Sequence, residues 1–98
     1  MRPAWVYIVA SQRNGTIYIG HTIDLPGRVH QHREGRVDNF TRQYGCKRLV
    51  WFERFDSIVG ARTFEKRMKK WNRAWKLKRI EERNPEWRDL YEELAAHI

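Results

Sequence analysis

At 98 residues the chain has room for one domain and one core, and cores of this size give only marginal stability. Apolar residues make up 41% and charged residues 33%, a balance that excludes a disordered polar chain. The net charge of +8 calls for a polyanionic partner, and the single cysteine, Cys46, excludes an internal disulfide framework and a thiolate metal cluster within one chain.

Cysteine usage suits a reducing cytoplasm, and cytoplasmic is the expected location. Met1 to Tyr7 lacks the apolar stretch of a signal peptide. No apolar run nears the roughly 20 residues that a membrane helix needs, so no membrane partner is expected.

Ala4 to Ala10, rich in aromatic and β-branched residues, is expected to be a strand. Arg13-Asn14-Gly15 follows, and Asn-Gly is a hairpin signal because both residues tolerate positive φ. Thr16 to Gly20 then forms the second strand, which sets Tyr7 and Tyr18 on neighbouring antiparallel strands and on one face. Asp24 is placed to cap a helix from Leu25 to Glu34, with Pro26 in its first turn and Gly35 as its stop. Arg28 and His32, four apart, share one face of it.

Residues 35–47, with Phe40, Tyr44 and Gly45, are expected to be an irregular basic loop. Arg48 to Phe55 reads as the third strand. Asp56 or Ser57 caps the next helix, on which Ile58, Ala61, Phe64, Met68 and Trp71 mark a buried stripe with Glu65 at its edge. A helix with Trp75 and Ile80 follows, and the Trp71–Trp75 pair is assigned to the core. Pro85 starts a short acidic amphipathic helix carrying Trp87, Leu90, Tyr91 and Leu94. The order β-β-α-β-α-α-α points to an α+β domain with a small three-stranded, mainly antiparallel sheet flanked by helices. Residues 1–83 form the main domain, and residues 84–98 the tail helix packed on it.

The positive charge is concentrated. Residues 62–79 carry nine basic groups and one acid, residues 1–61 net +4, and residues 81–98 net −4. The lone acid of the basic segment is Glu65. Charge runs ordinarily decorate a solvated helix face. Here the excess is interleaved with Trp71 and Trp75, which favours phosphate-backbone binding through Lys66, Lys69, Lys70, Arg73 and Lys76, with a steep salt dependence. Nothing resembles a base-reading helix, so shape rather than sequence preference is expected.

The order of motifs resembles the GIY-YIG nuclease superfamily, most closely its small stand-alone bacterial members. Val6-Tyr7-Ile8 stands at the first motif and Tyr18-Ile19-Gly20 at the second. The family's helical arginine matches Arg28, a histidine one turn on matches His32, and the metal-binding glutamate matches Glu65. The resemblance runs from Val6 to about Ile80, and Asn84 to Leu90 also fits the small members. The first motif keeps only its tyrosine, and Pro26-Gly27 replaces a charged pair before Arg28. Asn72, nearest to the family's late asparagine, lies closer to Glu65 than the pattern requires and is left outside the site.

The resemblance implies a metal-dependent DNA endonuclease acting by water attack with one Mg²⁺ or Mn²⁺. It would be structure-selective or weakly selective and would act on branched or flap DNA in repair or recombination. The residue types suit that chemistry. Glu65 can hold the ion that a substrate phosphate also touches. Arg28 can clamp a phosphate oxygen at two points and stabilise the transition state. Tyr7 is favoured as general base and Tyr18 as orienting the water or the metal, although an ordinary phenol, with a pKa near 10, needs help to act so. His32 is an auxiliary base or phosphate contact.

Each assignment has a plainer rival. Strand tyrosines commonly pack, a helical arginine is commonly solvated, and Glu65 can simply pair with Lys69. His21, His30 and His97 are assigned to the surface or partial burial. The competing functions are a nucleic-acid-binding module with little cleavage, and an interaction protein whose acidic tail covers a basic surface. A monomer or weak dimer is expected, with a protein partner a candidate for supplying substrate choice.

Overall fold

The computed structural model describes residues 2–37 and 39–96; His97 lies outside them. Its elements are β1 (Ala4–Ala10), β2 (Ile17–Thr22), α1 (Leu25–Arg33), α2 (Asn39–Tyr44), β3 (Arg48–Phe55), α3 (Ile58–Lys70), α4 (Arg73–Arg83) and α5 (Tyr91–Ala96). The three strands form one sheet in the order β2-β1-β3, and both pairings are antiparallel. The α+β architecture and its order are as expected, with one additional short helix, α2.

Central β1 has a helix layer on each side, so it reads as a continuous apolar run rather than an alternating one. Val6, Ile8 and Ala10 join Ile19, Trp51, Ala61, Met68, Ile80 and Trp87 in one core cluster, under α3 and α4. Tyr7 and Val9 join Leu25, Val29, Cys46 and Leu49 in the other, under α1. Each fully buried aliphatic or aromatic side chain contributes about 1.5–3 kcal/mol. Two such layers are a large fraction of what a chain this short can gather.

Local chemistry sets the helix ends. The Asp24 carboxylate accepts from the Gly27 amide, and α1 ends at Arg33, two residues before Gly35, which takes φ +70°. Ser57, not Asp56, caps α3 by accepting from Gly60 N–H. Asn72 caps α4, its side-chain oxygen accepting from Trp75 N–H at 2.9 Å.

The hairpin forms, with Ser11 and Thr16 closing a four-residue loop, but of Asn14 and Gly15 only Asn14 takes positive φ. Four expectations need correction. Residues 35–47 are not all irregular, because 39–44 form α2, ended by Gly45 at φ +66° and by Cys46 N–H donating to Thr41. Its Phe40 and Tyr44 face outward, so no buried stripe betrayed it. Ile58 is exposed, because the apolar stripe of α3 meets the sheet only from Ala61 onward. Trp75 is 60% exposed and outside the core; it meets Trp71 edge-to-face at 6.4 Å over a groove of about 380 Å³ shared with Lys78, Arg79 and Glu82.

The tail helix begins at Tyr91, not Pro85. Side chains compete for the backbone between them. Asn84 is buried, donates to the Val50 and Arg88 carbonyls and accepts from Arg88 N–H. Trp87 is fully buried at φ +56°, its indole donating to Glu81. Asp89 pairs with Arg33 of α1 and accepts from the Leu49 and Tyr91 amides. The acidic tail therefore lies against α1, with Leu90, Tyr91 and Leu94 on its core cluster, rather than over the basic helices.

Candidate nuclease site

Register brings the two tyrosines together. Tyr7 pairs with Gly20 and Val9 with Tyr18, so Tyr7 and Tyr18 project from the same face, their rings 6.4 Å apart. The face is that of α1, which supplies Arg28 and His32 from one side, as their i, i+4 spacing requires. The Tyr7 hydroxyl lies 2.9 Å from His32 Nε2, and both residues are wholly buried. Tyr18, half-buried, has its ring 5.4 Å from that of His32.

Gly20 makes this packing possible. A Cβ there would stand 2.6 Å from the Tyr7 hydroxyl oxygen, which real side chains do not tolerate. The third residue of Tyr18-Ile19-Gly20 is thus small because the phenol of Tyr7 occupies its side-chain space.

Glu65 arrives from the opposite face of the sheet, on α3. There it meets His21, whose side chain alternates with those of Tyr18 and Gly20 along β2. His21 Nδ1 is hydrogen-bonded to Glu65 Oε1, and Lys69 Nζ lies 2.5 Å from Glu65 Oε2. The simple i, i+4 pair with Lys69 therefore exists, and His21 is a second partner. Sequence assigned His21 to the surface or partial burial, and it is partly buried, but its bond to Glu65 was not legible; its place next to Tyr18-Ile19-Gly20 was the available signal. His30 is a surface residue, beside Glu34.

Because β2 is an edge strand, the two faces communicate around it. The Lys69 ammonium sits 5.9 Å over the Tyr18 ring. The charges of Arg28 and Glu65 both act on the Tyr7 hydroxyl. Burial pushes the Tyr7 phenol well above its ordinary range, Tyr18 and Glu65 push the same way, and Arg28 opposes them. Tyr7 is therefore neutral near pH 7. A guanidinium only donates, so its bond to the phenol uses an oxygen lone pair; the Tyr7 O–H donates to His32 Nε2 in the tautomer that carries its proton on Nδ1. Burial also pushes the Glu65 carboxyl up, but hydrogen bonds and charge from Lys69 and His21 outweigh it and hold it below its usual range.

The basic residues divide. Lys69 and Lys76 line a shallow groove with Tyr18 and Phe40, and Lys76 Nζ also bonds the Lys69 carbonyl. Arg73 reaches the β1–β2 loop, donating to the carbonyls of Asn14 and Gly15. Lys66 lies in a separate groove with Val59, Arg62 and Thr63, and Lys70 is exposed at the end of α3. Asn72 serves as the α4 cap.

The family model described as the GIY-YIG catalytic domain matches residues 3–78. The chain belongs to the GIY-YIG family. Among curated proteins, it is similar to a UPF0213 protein of Staphylococcus haemolyticus, 35% identical over 83 residues that cover 85% of this chain and all of that one. It is also similar to a UPF0213 protein of Syntrophus aciditrophicus, 33% identical over 87 residues covering 88% and 98% of the two chains. A solution NMR structure of a UPF0213 protein from Bacillus halodurans is 32% identical, covers 78% of this chain and 80% of its own, and superposes with a TM-score of 0.48. The GIY-YIG family is a nuclease family, and DNA is the substrate it implies. No helix among the described residues is long and apolar enough to cross a membrane.

Among the described residues, no group of three or more His, Cys, Asp or Glu is arranged to cage a metal ion. The donor set around Glu65 is instead a single carboxylate. That suits Mg²⁺ or Mn²⁺, which keep several waters and take one or two carboxylates beside substrate phosphates. It does not suit a closed structural site, which needs four protein ligands.

Proposed function

We propose that this GIY-YIG protein is a divalent-metal-dependent DNA endonuclease, structure-selective or weakly selective, serving DNA repair or recombination. The observation that carries the reading is the setting of the Tyr7 hydroxyl. It is bonded to His32 and acted on by Arg28, so β1 and α1 meet at one buried phenol, while Glu65 on the other face of the sheet reaches it through charge alone.

Glu65 is the residue to hold the ion, which when bound would supply charge neutralisation at the phosphate. Both carboxylate oxygens are engaged in the free protein, by His21 and Lys69. Lys69 is half exposed and can swing onto a phosphate, while His21 keeps the carboxylate oriented. Arg28 clamps a non-bridging phosphate oxygen and stabilises the charge of the transition state.

With its pKa raised, Tyr7 cannot wait as a phenolate. It takes a proton from the attacking water only as it gives its own to His32 Nε2, so the pair works as one base. Tyr18, at the open side, orients the water.

The test is cleavage of branched, flap and single-stranded DNA with Mg²⁺ or Mn²⁺, comparing wild type with Tyr7→Phe, Arg28→Ala and Glu65→Ala. Each variant is expected to lose at least about 10²-fold in rate. Equal activity in wild type and all three would sink the assignment. The occupied Glu65 carboxylate favours one alternative, a nucleic-acid-binding module with little cleavage; DNA binding without cleavage of any substrate would establish it.

A further inference from the structure

α2 was absent from the sequence reading, and nothing in the proposed chemistry uses it. It nevertheless carries two exposed aromatic rings beside the site. Phe40 is 44% exposed and Tyr44 48% exposed, and their rings lie 4.9 Å apart as an i, i+4 pair. Phe40 is in turn 6.3 Å from Tyr18. The three rings form a row leading from the candidate site out to solvent. Large aromatic side chains left exposed in a small domain forgo a sizeable burial energy, so the row calls for a ligand that supplies the missing contact.

The groove along this row fixes the chemistry of that ligand. It has a volume of about 290 Å³ and is lined by Ile17, Tyr18, Ile19, Phe40, Lys69 and Lys76. Apolar and aromatic faces lie beside two ammonium groups, and no carboxylate is among the described residues that line the groove. A nucleobase stacks on such faces while its phosphates meet the lysines. Paired bases cannot present their faces, because their neighbours in the duplex cover them. The groove therefore suits a strand whose bases are unpaired.

We infer that Phe40 and Tyr44, with Lys69 and Lys76, form a stacking ledge for one or two unpaired DNA bases next to the cleavage site. The ledge makes the enzyme prefer junctions between duplex and single strand. The inference deepens the proposed function and takes DNA as the ligand from it. It does not depend on the identity of the base or the metal ligand. Selectivity of this kind arises without any base-reading helix, since every base offers a π face and none is distinguished.

The experiment measures binding in EDTA, where no cleavage occurs, of a blunt duplex and of the same duplex with a single-stranded overhang. The probe carries 2-aminopurine at successive overhang positions. Wild type is expected to bind the overhang substrate about tenfold more tightly than the blunt one, and to quench 2-aminopurine at one or two adjacent positions. Phe40→Ala and Tyr44→Ala should each lose most of that preference and the quenching, with blunt-duplex affinity unchanged. Phe40→Trp should keep both. Equal overhang affinity and equal quenching in wild type and both alanine variants would overturn the ledge. A wild type that shows the preference but cleaves nothing would keep the ledge and refute the endonuclease reading. Cleavage by wild type without any overhang preference would do the reverse.

Discussion

Replacing Gly20 with alanine adds one methyl group to β2, and the structure says where that group must go. Its nearest neighbours would be the Tyr7 hydroxyl oxygen at 2.6 Å, Tyr7 Cζ at 2.8 Å and Tyr18 Cε1 at 3.1 Å. Ordinary contact begins near 3.4 Å, so the Tyr7 oxygen must retreat by about 0.8 Å. Tyr7 has no slack, being wholly buried against Val9, Leu25 and Val29. A shift of that size is enough to stretch or misalign the 2.9 Å bond to His32. Overpacking of this kind costs about 1–3 kcal/mol, which moves a urea midpoint by roughly 1 M. Misplacing a catalytic group by about 1 Å costs about 10²-fold in rate. Urea unfolding and metal-dependent cleavage are to be measured for Gly20→Ala in wild-type and Tyr7→Phe backgrounds. Removing the hydroxyl deletes the closest clash, so the alanine should destabilise the Tyr7→Phe protein less than the wild type. Equal destabilisation in both backgrounds, or a Gly20→Ala protein as stable and active as wild type, would refute the reasoning.

Other expectations follow from named contacts. The Glu65 carboxyl is held below its ordinary range in the folded state, so its contribution to stability is present above the unfolded carboxylate pKa and lost as pH falls through the folded value. Glu65→Gln should accordingly be less stable near neutrality and show a flatter decline below about pH 5; acid unfolding curves parallel to wild type would contradict this. Tyr7 is shifted upward, so its contribution is complete below about pH 10 and fades above it. Tyr7→Phe should flatten the alkaline limb of the stability profile, as thermal melts from pH 8 to 11 would reveal. Asn72→Ala removes the α4 cap and should cost about 1 kcal/mol while leaving the cleavage rate near wild type; a large rate loss at unchanged stability would place Asn72 in the site after all.

The strands, their face and the two long helices were legible because their signals are local and periodic. Tyr7 and Tyr18 share a face by the alternation of any antiparallel pair, and Arg28 and His32 share one by helical spacing. What escaped the sequence depends on contacts made at a distance. The His21–Glu65 bond joins residues 44 apart in the chain, and nothing near either residue announces the other. Helix α2 hides because its aromatic residues face outward, contrary to the pattern by which helices are found. The late start of α5 follows from Asn84 and Asp89 binding the backbone of β3, a competition visible only once β3 is in place. Trp75 shows the opposite error: a large apolar residue at helical spacing was assigned to the core, although its helix turns that position outward.

The segment from Arg83 to Leu90 has a consequence for how the molecule meets its own kind. A three-stranded sheet has two rims, each offering unpaired amides and carbonyls on which another chain can add a strand. On β3 that rim is occupied: Leu49 exchanges hydrogen bonds with Asp89 and Leu90, Val50 accepts from Asn84, and Phe52 accepts from Arg83. Cutting the chain before residue 83 would strip this cover and present an apolar strand to its neighbours, so the shortened protein should aggregate even where its sheet still folds. The rim on β2 is guarded by different means, with the lysine-rich α3 and α4 close by. Two copies approaching there repel each other, whereas a polyanion is drawn in.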